Sequence, residues 1–184
     1  MSMMLMAAKI AKFAHDGQLR DDKRPYITHP ARVAGQALLI PGATEEWGAV
    51  AYLHDVLEDT AMTEPCLRLK FPPNVVNVVV ELTNQFTDKE ERRDVRKAKE
   101  YARLGRASSV AKIIKMLDRE DNLRDMAHPS KFRDLYIKES RLLMTYIRDA
   151  NEELAARVDA VIDSIPLTMM AQLELINDSK RGPK

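Results

Sequence analysis

The sequence predicts an all-α protein, a single bundle of stacked helices. Apolar residues recur at helical spacing along most of the chain, and only 5% of the residues are aromatic, which suits helix packing better than a β-sandwich. The chain has 184 residues, near the usual size of one domain and enough to bury a core. We therefore expect one domain over residues 1–184, with C-terminal helices over 131–176 and a frayed tail over 177–184.

The first half of the chain predicts three helices. The first should end near Gly17, because glycine readily takes the left-handed conformation that ends a helix. The polar segment 18–28 is typical of a loop, and Pro30 suits the first turn of the next helix, so His29 should lie at a helix start. The apolar spacing over 44–60 predicts a third helix, with Thr44 as its cap.

The second half contains one ambiguous segment. The β-branched run over 75–82 is compatible with a strand or a buried helix, and we favour a helix because its neighbours are helical. Ser108 or Ser109 should cap the long helix that follows. Apolar residues at helical spacing continue after Pro129 until Pro166 ends the pattern.

Composition excludes several classes of protein and of site. Lys and Arg number 29 against 28 for Asp and Glu, so no overall basic excess attracts nucleic acid. Cys66 is the single cysteine, which excludes an intrachain disulfide and a four-sulfur zinc site. The apolar N-terminus is interrupted by Lys9 and Lys12 before it reaches the length of a membrane span. These features indicate a cytoplasmic protein without a membrane segment.

One edge of the third predicted helix carries an imidazole and three carboxylates. His54 and Glu58 are one helical turn apart, and so are Asp55 and Asp59. Carboxylates crowded beside a core repel one another and lose hydration, a cost that a bound divalent cation would remove. The alternative is a solvated acidic face without a ligand.

A second helix turns acidic on the face that should be buried. After the apolar stripe that ends at Leu117, the same stripe continues as Asp118, Asp121, Asn122 and Asp125. Because this spacing places the four side chains on one face, the carboxylates should point toward the core. This weakens the interpretation of a solvated face.

One shared metal site explains both acidic helices and the histidine at a helix start. The expected ligands are His29, His54, Asp55 and Asp118. Two nitrogen and two oxygen ligands suit Mn²⁺, while Fe²⁺, Co²⁺ or Zn²⁺ fit by ligand type alone. A metal-bound water becomes a nucleophile at neutral pH. Glu58 and Asp59 are then free to orient water or move protons.

Two other histidines fit structural positions better. His15, followed by Asp16, lacks carboxylates one turn on and lies at a helix end, so we expect a structural or supporting role. His128 beside Pro129 is expected in a surface loop.

Several collinear motifs resemble the small alarmone hydrolases, the stand-alone hydrolase members of the RelA/SpoT group that includes the metazoan SpoT homologue. The resemblance covers roughly residues 7–126 and rests on the segments Ala11–Arg20, Pro25–Pro30, Ala51–Thr60, Leu82–Thr83 and Lys115–Arg124.

The resemblance implies an all-α HD-domain fold with Mn²⁺ at the four expected ligands. It also implies that Glu58 and Asp59 act on the attacking water. The implied reaction removes the 3′-pyrophosphate from a guanosine or adenosine alarmone, (p)ppGpp or (p)ppApp. The products are pyrophosphate and the nucleoside 5′-di- or triphosphate, so the expected partner is a small nucleotide.

Substrate contacts follow from the same resemblance. The family position of Arg20 packs a guanidinium on the nucleobase, and that of Asn122 reaches the ribose side. Lys115, one turn before Asp118, could meet a phosphate or be solvated. Tyr136 is a weaker candidate for lining the pocket.

A basic run offers a second place for phosphates. Arg92, Arg93, Arg96 and Lys97 could form a phosphate cradle, although charge runs are more often solvated helix faces.

The sequence departs from the family pattern at two places. Family members often have Arg-Lys-Asp-Gly before Pro-Tyr, whereas this chain has Arg-Asp-Asp-Lys-Arg over 20–24. Asp21 therefore replaces a lysine, and a carboxylate accepts hydrogen bonds from the exocyclic amines of both guanine and adenine, which leaves the base open. Asp121 stands where the family usually has His or Tyr.

Two other functions are compatible with these motifs. A phosphatase for another 2′- or 3′-phosphorylated nucleotide, such as NADPH, would use the same pocket shape. A non-catalytic nucleotide-binding module would also keep the fold, but the intact pair Glu58 and Asp59 argues against it.

Overall fold

The chain adopts an all-α fold in the computed structural model, which describes residues 2–126 and 131–166. The helices in this part of the chain are α1 Met3–Ala14, α2 Thr28–Ala37, α3 Glu45–Leu53, α4 Val56–Asp59, α5 Glu64–Arg68, α6 Pro73–Leu82, α7 Arg93–Leu104, α8 Ser109–Asp125, α9 Lys131–Ile147 and α10 Glu152–Ser164. No extended strand occurs among these residues, which confirms the predicted fold class. None of their helices combines the length and apolarity needed to cross a bilayer.

Helix α1 packs closely against α3 because both present small residues. Ala7 and Ala11 of α1 are fully buried. A Cβ added to Gly48 of α3 would lie 2.8 Å from Sδ of Met4, so a larger residue there would require the Met4 side chain to shift. The predicted first helix is confirmed, and Gly17 takes the expected positive φ of +76° in the turn that follows it.

The loop after α1 folds back on itself and leads into α2. The Arg20 N–H donates to the Arg24 carbonyl at 2.9 Å, and Lys23 has a φ of +68°, the left-handed region that favours glycine. His29 and Pro30 then lie in the first turn of α2, as predicted.

The predicted third helix is interrupted at the two residues expected to bind metal. A turn at His54 and Asp55 separates α3 from α4, so the prediction of one continuous helix over 44–60 was wrong. Nδ1 of His54 bonds to the Ala51 carbonyl at 2.7 Å, the acceptor that the amide of residue 55 would use in a continuous helix. The helical spacing resumes at once, because the Asp59 N–H donates to the Asp55 carbonyl at 2.9 Å.

Helix α8 is the centre of the arrangement. It packs against α2, α3, α6, α9 and α10. Its start is capped by Ser108, whose hydroxyl accepts a hydrogen bond of 3.2 Å from the Ala111 N–H, as predicted. The ambiguous run over 75–82 belongs to helix α6, which confirms the helical interpretation. Because α8 packs against α2 and α3, its polar face lies toward α2 and the α3–α4 turn.

The C-terminal part confirms the predicted helices as far as it is described. Helices α9 and α10 follow each other through a short 3₁₀ helix, Arg148–Ala150, and α10 ends shortly before Pro166. The predicted surface loop at His128, the predicted helix over 167–176 and the predicted tail over 177–184 lie outside the described residues.

Candidate active site

The fold brings the four expected metal ligands together in the interior. His29 comes from the start of α2, His54 and Asp55 from the α3–α4 turn, and Asp118 from the middle of α8. Nε2 of His29 lies 3.2 Å from Oδ1 of Asp118 and 3.6 Å from Oδ2 of Asp55. Nε2 of His54 lies 2.9 Å from Oδ2 of Asp55 and 3.7 Å from Oδ1 of Asp118. We call these four residues the ligand set.

The hydrogen bonds at the far side of each imidazole assign its tautomer. Nδ1 of His29 lies 2.6 Å from Oδ2 of Asp121, and Nδ1 of His54 lies 2.7 Å from the Ala51 carbonyl oxygen. Both acceptors require a proton on Nδ1, so in the neutral form of each ring Nε2 presents a lone pair to the carboxylates. Both Nε2 atoms are buried and lack a hydrogen-bond partner among the described residues.

A cation bound among these four side chains would stabilise their arrangement. Lone pairs and carboxylate oxygens that face one another in the interior repel unless a positive charge lies between them. Burial lowers the pKa of His54, but Asp55 and Asp118 raise it more, so the site attracts positive charge. His29, His54 and Asp55 also present ligand atoms that all lie within 4.8 Å of one another, close enough to hold one metal ion. The donors present therefore fit a divalent ion.

Tyr26 orients one of the carboxylates in the ligand set. Its hydroxyl donates to Oδ2 of Asp55 at 2.6 Å and lies 3.3 Å from Oδ2 of Asp59. Its ring stacks on the buried ring of His15 at 4.6 Å between centroids. The supporting position of His15 agrees with the role expected for it. Sequence reasoning did not select Tyr26, although it lies inside the Pro25–Pro30 motif.

Glu58 and Asp59 lie on α4 beside the ligand set, and we call them the acid pair. The Asn84 N–H donates to Oε2 of Glu58 at 3.2 Å. Loss of water around each carboxyl raises the pKa of both groups, and the neighbouring charge of Asp55 adds to the effect. A raised pKa suits a group that must take up a proton near neutral pH.

A pocket of about 190 Å³ opens beside the ligand set. It is lined by Leu19, Arg20, Asp21, Asp22, Tyr26, Asn122, Asp125 and Met126. We call it the base pocket, after the expectation that Arg20 packs against a nucleobase. Arg20 donates to Oδ1 of Asn122 at 2.9 Å and to Oδ2 of Asp125 at 3.0 Å. Nδ2 of Asn122 in turn donates to Oδ1 of Asp118 at 2.6 Å. The structure thus brings Arg20, Asp21 and Asn122 to one pocket, which Asn122 connects to Asp118 of the ligand set through a hydrogen bond.

Lys115 is held by a carboxylate of the ligand set. Its Nζ lies 2.7 Å from Oδ2 of Asp118, and its side chain is largely buried. Burial lowers the pKa of Lys115, but Asp118 and Asp55 together raise it more, so the lysine stays charged. The sequence left open whether Lys115 is solvated, and the structure instead shows it largely buried and paired with Asp118.

A second pocket of about 240 Å³ lies on the other side of the acid pair. It is lined by Glu58, Asn84, Phe86, Arg93, Arg96 and Lys97, and we call Arg93, Arg96 and Lys97 the basic cluster. Burial lowers the pKa of Lys97, and the neighbouring charges of Arg119 and Lys115 lower it further. Arg93 also pairs with Glu139 at 2.7 Å. Arg92 of the predicted cradle does not line this pocket; its side chain is 81% exposed and pairs with Asp94.

Arg96 of the basic cluster and Arg119, whose charge acts on Lys97, each have a buried nitrogen atom. The Nε atoms of Arg96 and Arg119 are buried and have no hydrogen-bond partner in the described part of the chain. The guanidinium of Arg119 lies 4.2 Å from the ring centroid of Tyr136, which is half-buried beneath it. Tyr136 therefore packs against a buried cation. It lines neither of the two pockets described above, where it was expected as a weaker candidate.

Known proteins share this fold and parts of this sequence. A family model described as HD domain matches residues 7–151. The guanosine-3′,5′-bis(diphosphate) 3′-pyrophosphohydrolase MESH1 of Drosophila melanogaster is 30% identical over 161 residues, which cover 82% of this chain and 88% of that protein. The Xenopus tropicalis protein of the same name is 36% identical over 129 residues, covering 68% of this chain and 70% of that protein.

A solved structure agrees with these sequence matches. It is described as a metazoan orthologue of SpoT that hydrolyses ppGpp and plays a role in starvation responses. It superimposes with a TM-score of 0.78 at 27% identity, covering 89% of this chain and 95% of that one.

Proposed function

The chain belongs to the HD domain family, and from this we propose that it is a metal-dependent 3′-pyrophosphohydrolase of guanosine-3′,5′-bis(diphosphate) and related alarmones. Its relatives over most of the chain carry that activity in their names. One observation supports the proposal most. The buried Nε2 atoms of His29 and His54 face the carboxylates of Asp118 and Asp55, and the base pocket and the acid pair lie beside them.

The metal proposed for the ligand set is Mn²⁺. Two imidazole nitrogens and two carboxylate oxygens suit this ion, although other first-row divalent ions share the preference. When bound, such an ion polarises water and phosphoryl oxygens. The protein contributes the orientation of the ligands, because Asp121 and the Ala51 carbonyl fix the two imidazoles while Tyr26 fixes Asp55.

The acid pair is assigned to proton transfer. In the proposed reaction, the oxygen of water bonds to the phosphorus attached to the ribose 3′ oxygen, and the bond between that phosphorus and the 3′ oxygen breaks. Glu58 or Asp59 accepts a proton from the water and returns one to the departing 3′ oxygen, so the pair is regenerated. Pyrophosphate and the nucleoside 5′-di- or triphosphate leave. The raised pKa of each carboxyl matches this exchange.

The base pocket is assigned to the nucleobase and ribose. Arg20 offers a planar cation held in place by Asn122 and Asp125, and stacking on such a plane accepts any base. Asn122 reaches from Arg20 to Asp118, so it lies where a ribose would bridge the pocket and the ligand set. Because Asp21 brings a carboxylate to the pocket, the proposed substrates include adenosine as well as guanosine alarmones.

The phosphates are assigned to the cations around the acid pair. Lys115 pairs with Asp118 of the ligand set, and its charge lowers the pKa of Glu58. The basic cluster borders Glu58 on the other side. The proposed substrates carry phosphates on both the 3′ and the 5′ oxygen of the ribose. These two groups of anions suit two separate groups of cations.

The proposed partner is a small nucleotide in the cytoplasm. Lys and Arg number 29 against 28 for Asp and Glu, so the chain has no overall basic excess that would attract nucleic acid. Cys66 is a free, exposed thiol, which suits a reducing compartment.

A substrate panel tests this proposal. The protein with Mn²⁺ is incubated with ppGpp, pppGpp, ppApp, pppApp and NADPH, and turnover is compared under one condition. We expect kcat/KM for at least one alarmone to exceed that for NADPH. A preference for NADPH would instead assign the site to a nucleotide phosphatase.

A further inference from the structure

Arg32 of α2 donates hydrogen bonds to two carboxylates of α8. Its Nε donates to Oδ1 of Asp121 at 2.6 Å, and its Nη2 donates to Oδ2 of the same carboxylate at 2.7 Å. Nη2 also donates to Oδ2 of Asp125 at 2.6 Å. Helical spacing explains the geometry, because Arg32 lies one turn after His29 while Asp121 and Asp125 lie one turn apart on the facing helix.

The first of these carboxylates, Asp121, contacts His29 of the ligand set. Oδ2 of Asp121 accepts the Nδ1 proton of His29 at 2.6 Å, and the Asp121 side chain is only 7% exposed. A carboxylate that orients a ligating imidazole in this way sets the direction of the Nε2 lone pair. Without Arg32, among the described residues Asp121 would keep only its contact to His29 and could rotate away.

The second carboxylate leads to the base pocket. Besides Arg32, Asp125 accepts hydrogen bonds from Arg20 at 3.0 Å and from Arg24 at 3.1 Å. The Arg20 side chain is largely buried, and its guanidinium also donates to Asn122. Asp125 therefore sets the plane of the cation that the base would stack on.

We propose that Arg32 is a positioning residue that ties the metal ligand His29 to the base pocket, through Asp121 on one side and Asp125 on the other. This inference rests on the proposed function, because it takes the ligand set as the metal site and the base pocket as the nucleotide site. It adds that one residue, which touches neither metal nor nucleotide, supports both.

The contacts distinguish this role from that of an ordinary surface ion pair. Exposed pairs hold each charge by a single flexible contact and contribute little. Arg32 instead makes three contacts through two nitrogens of a planar group, and the carboxylates it holds are 7% and 20% exposed. A lysine could not reproduce this fork.

The experiment measures the two binding sites separately. Mn²⁺ affinity is measured by calorimetry without nucleotide, and GDP affinity is measured on chelator-treated protein without metal. The variants are Arg32→Gln, Arg32→Lys, Asp121→Asn and Asp125→Asn. Arg68→Gln is the matched control, because Arg68 is another partly exposed arginine that pairs with a carboxylate, Glu64, outside the site.

Arg32→Gln should weaken both ligands. The dissociation constant of Mn²⁺ should rise at least about 10-fold, the lower end for losing a partner of a ligating histidine, and that of GDP at least about fivefold, the scale of a lost stacking contact. Asp121→Asn should weaken Mn²⁺ alone, and Asp125→Asn should weaken GDP alone. Arg68→Gln should change neither.

The outcomes separate the inference from the proposed function. If the unchanged protein binds neither Mn²⁺ nor GDP, the proposed function fails. If it binds both and Arg32→Gln alters one constant or none, the bridging role of Arg32 is wrong. Circular dichroism checks folding of each variant, and should Arg32→Gln unfold, Arg32→Lys decides by the same two constants, since a merely structural role would lower the melting temperature and leave both unchanged.

Discussion

The hydroxyl of Tyr26 donates a hydrogen bond of 2.6 Å to Oδ2 of Asp55, the same oxygen that faces both imidazoles of the ligand set. Burial and the neighbouring carboxylates hold the pKa of Tyr26 well above its usual range, so the phenol keeps its proton. Tyr26→Phe should therefore weaken Mn²⁺ binding about 10-fold or more, as expected when a ligand loses its orienting partner. Calorimetric titration with Mn²⁺ checks this, with Tyr52→Phe as control. Equal affinities in both variants would show that Asp55 needs no such support.

The acid pair should be separable from the ligand set. Glu58→Ala combined with Asp59→Ala is expected to retain Mn²⁺ and nucleotide binding, while kcat falls at least about 10²-fold, the scale of positioned acid–base catalysis. Metal content and kcat are measured on the same preparation. Loss of metal with an unchanged rate per bound ion would mean that these carboxylates are ligands instead.

The pH dependence of the rate should follow Glu58. Loss of water around the carboxyl raises its pKa above the ordinary 4.5, while Lys115 acts in the opposite direction. A base works only when unprotonated, so kcat at saturating Mn²⁺ should fall as pH decreases through this raised pKa. Lys115→Met should move the fall in kcat to higher pH. Lys112→Met on the same helix, whose lysine pairs with Asp149, is the control, and a fall that stays in place in Lys115→Met would exclude Glu58 as the titrating base.

Base preference should depend on Asp21. In the structure Asp21 lines the base pocket beside Arg20, and a carboxylate favours an amine donor such as the one on adenine, whereas a lysine favours the guanine carbonyl oxygen. We expect Asp21→Lys to shift the ratio of kcat/KM for pppApp and pppGpp toward guanine. Arg20→Ala should weaken both substrates alike. A ratio that does not respond to Asp21→Lys would show that another group reads the base.

The places of two expected ligands in the fold, Asp118 and His29, could be predicted from local sequence patterns. Asp118 and Asp121 continue an apolar helical stripe, so their inward direction follows from the spacing, and the structure buries both. His29 could be placed at a helix start because Pro30 suits a first turn. Local spacing is enough for such statements.

Contacts between helices could not be predicted in the same way. Arg32 is one more charged residue on an amphipathic helix until the packing of α2 on α8 gives it two carboxylates. The break at His54 was also missed, because a side chain that competes for the Ala51 carbonyl leaves no mark in the hydrophobic periodicity. The long Glu120 side chain is a similar case, since its buried carboxylate is held by Arg124 and by Arg157 of α10.

Identification of the products released from ppGpp tests the central claim most directly. The protein with Mn²⁺ is incubated with ppGpp in ¹⁸O-labelled water, and the products are separated by anion exchange and examined by mass spectrometry. The account predicts GDP and pyrophosphate in equal amounts, with the label in pyrophosphate, and no turnover by Asp118→Ala, which should lose the metal while keeping its fold. Release of orthophosphate, label in GDP, or full turnover by metal-stripped Asp118→Ala would contradict it.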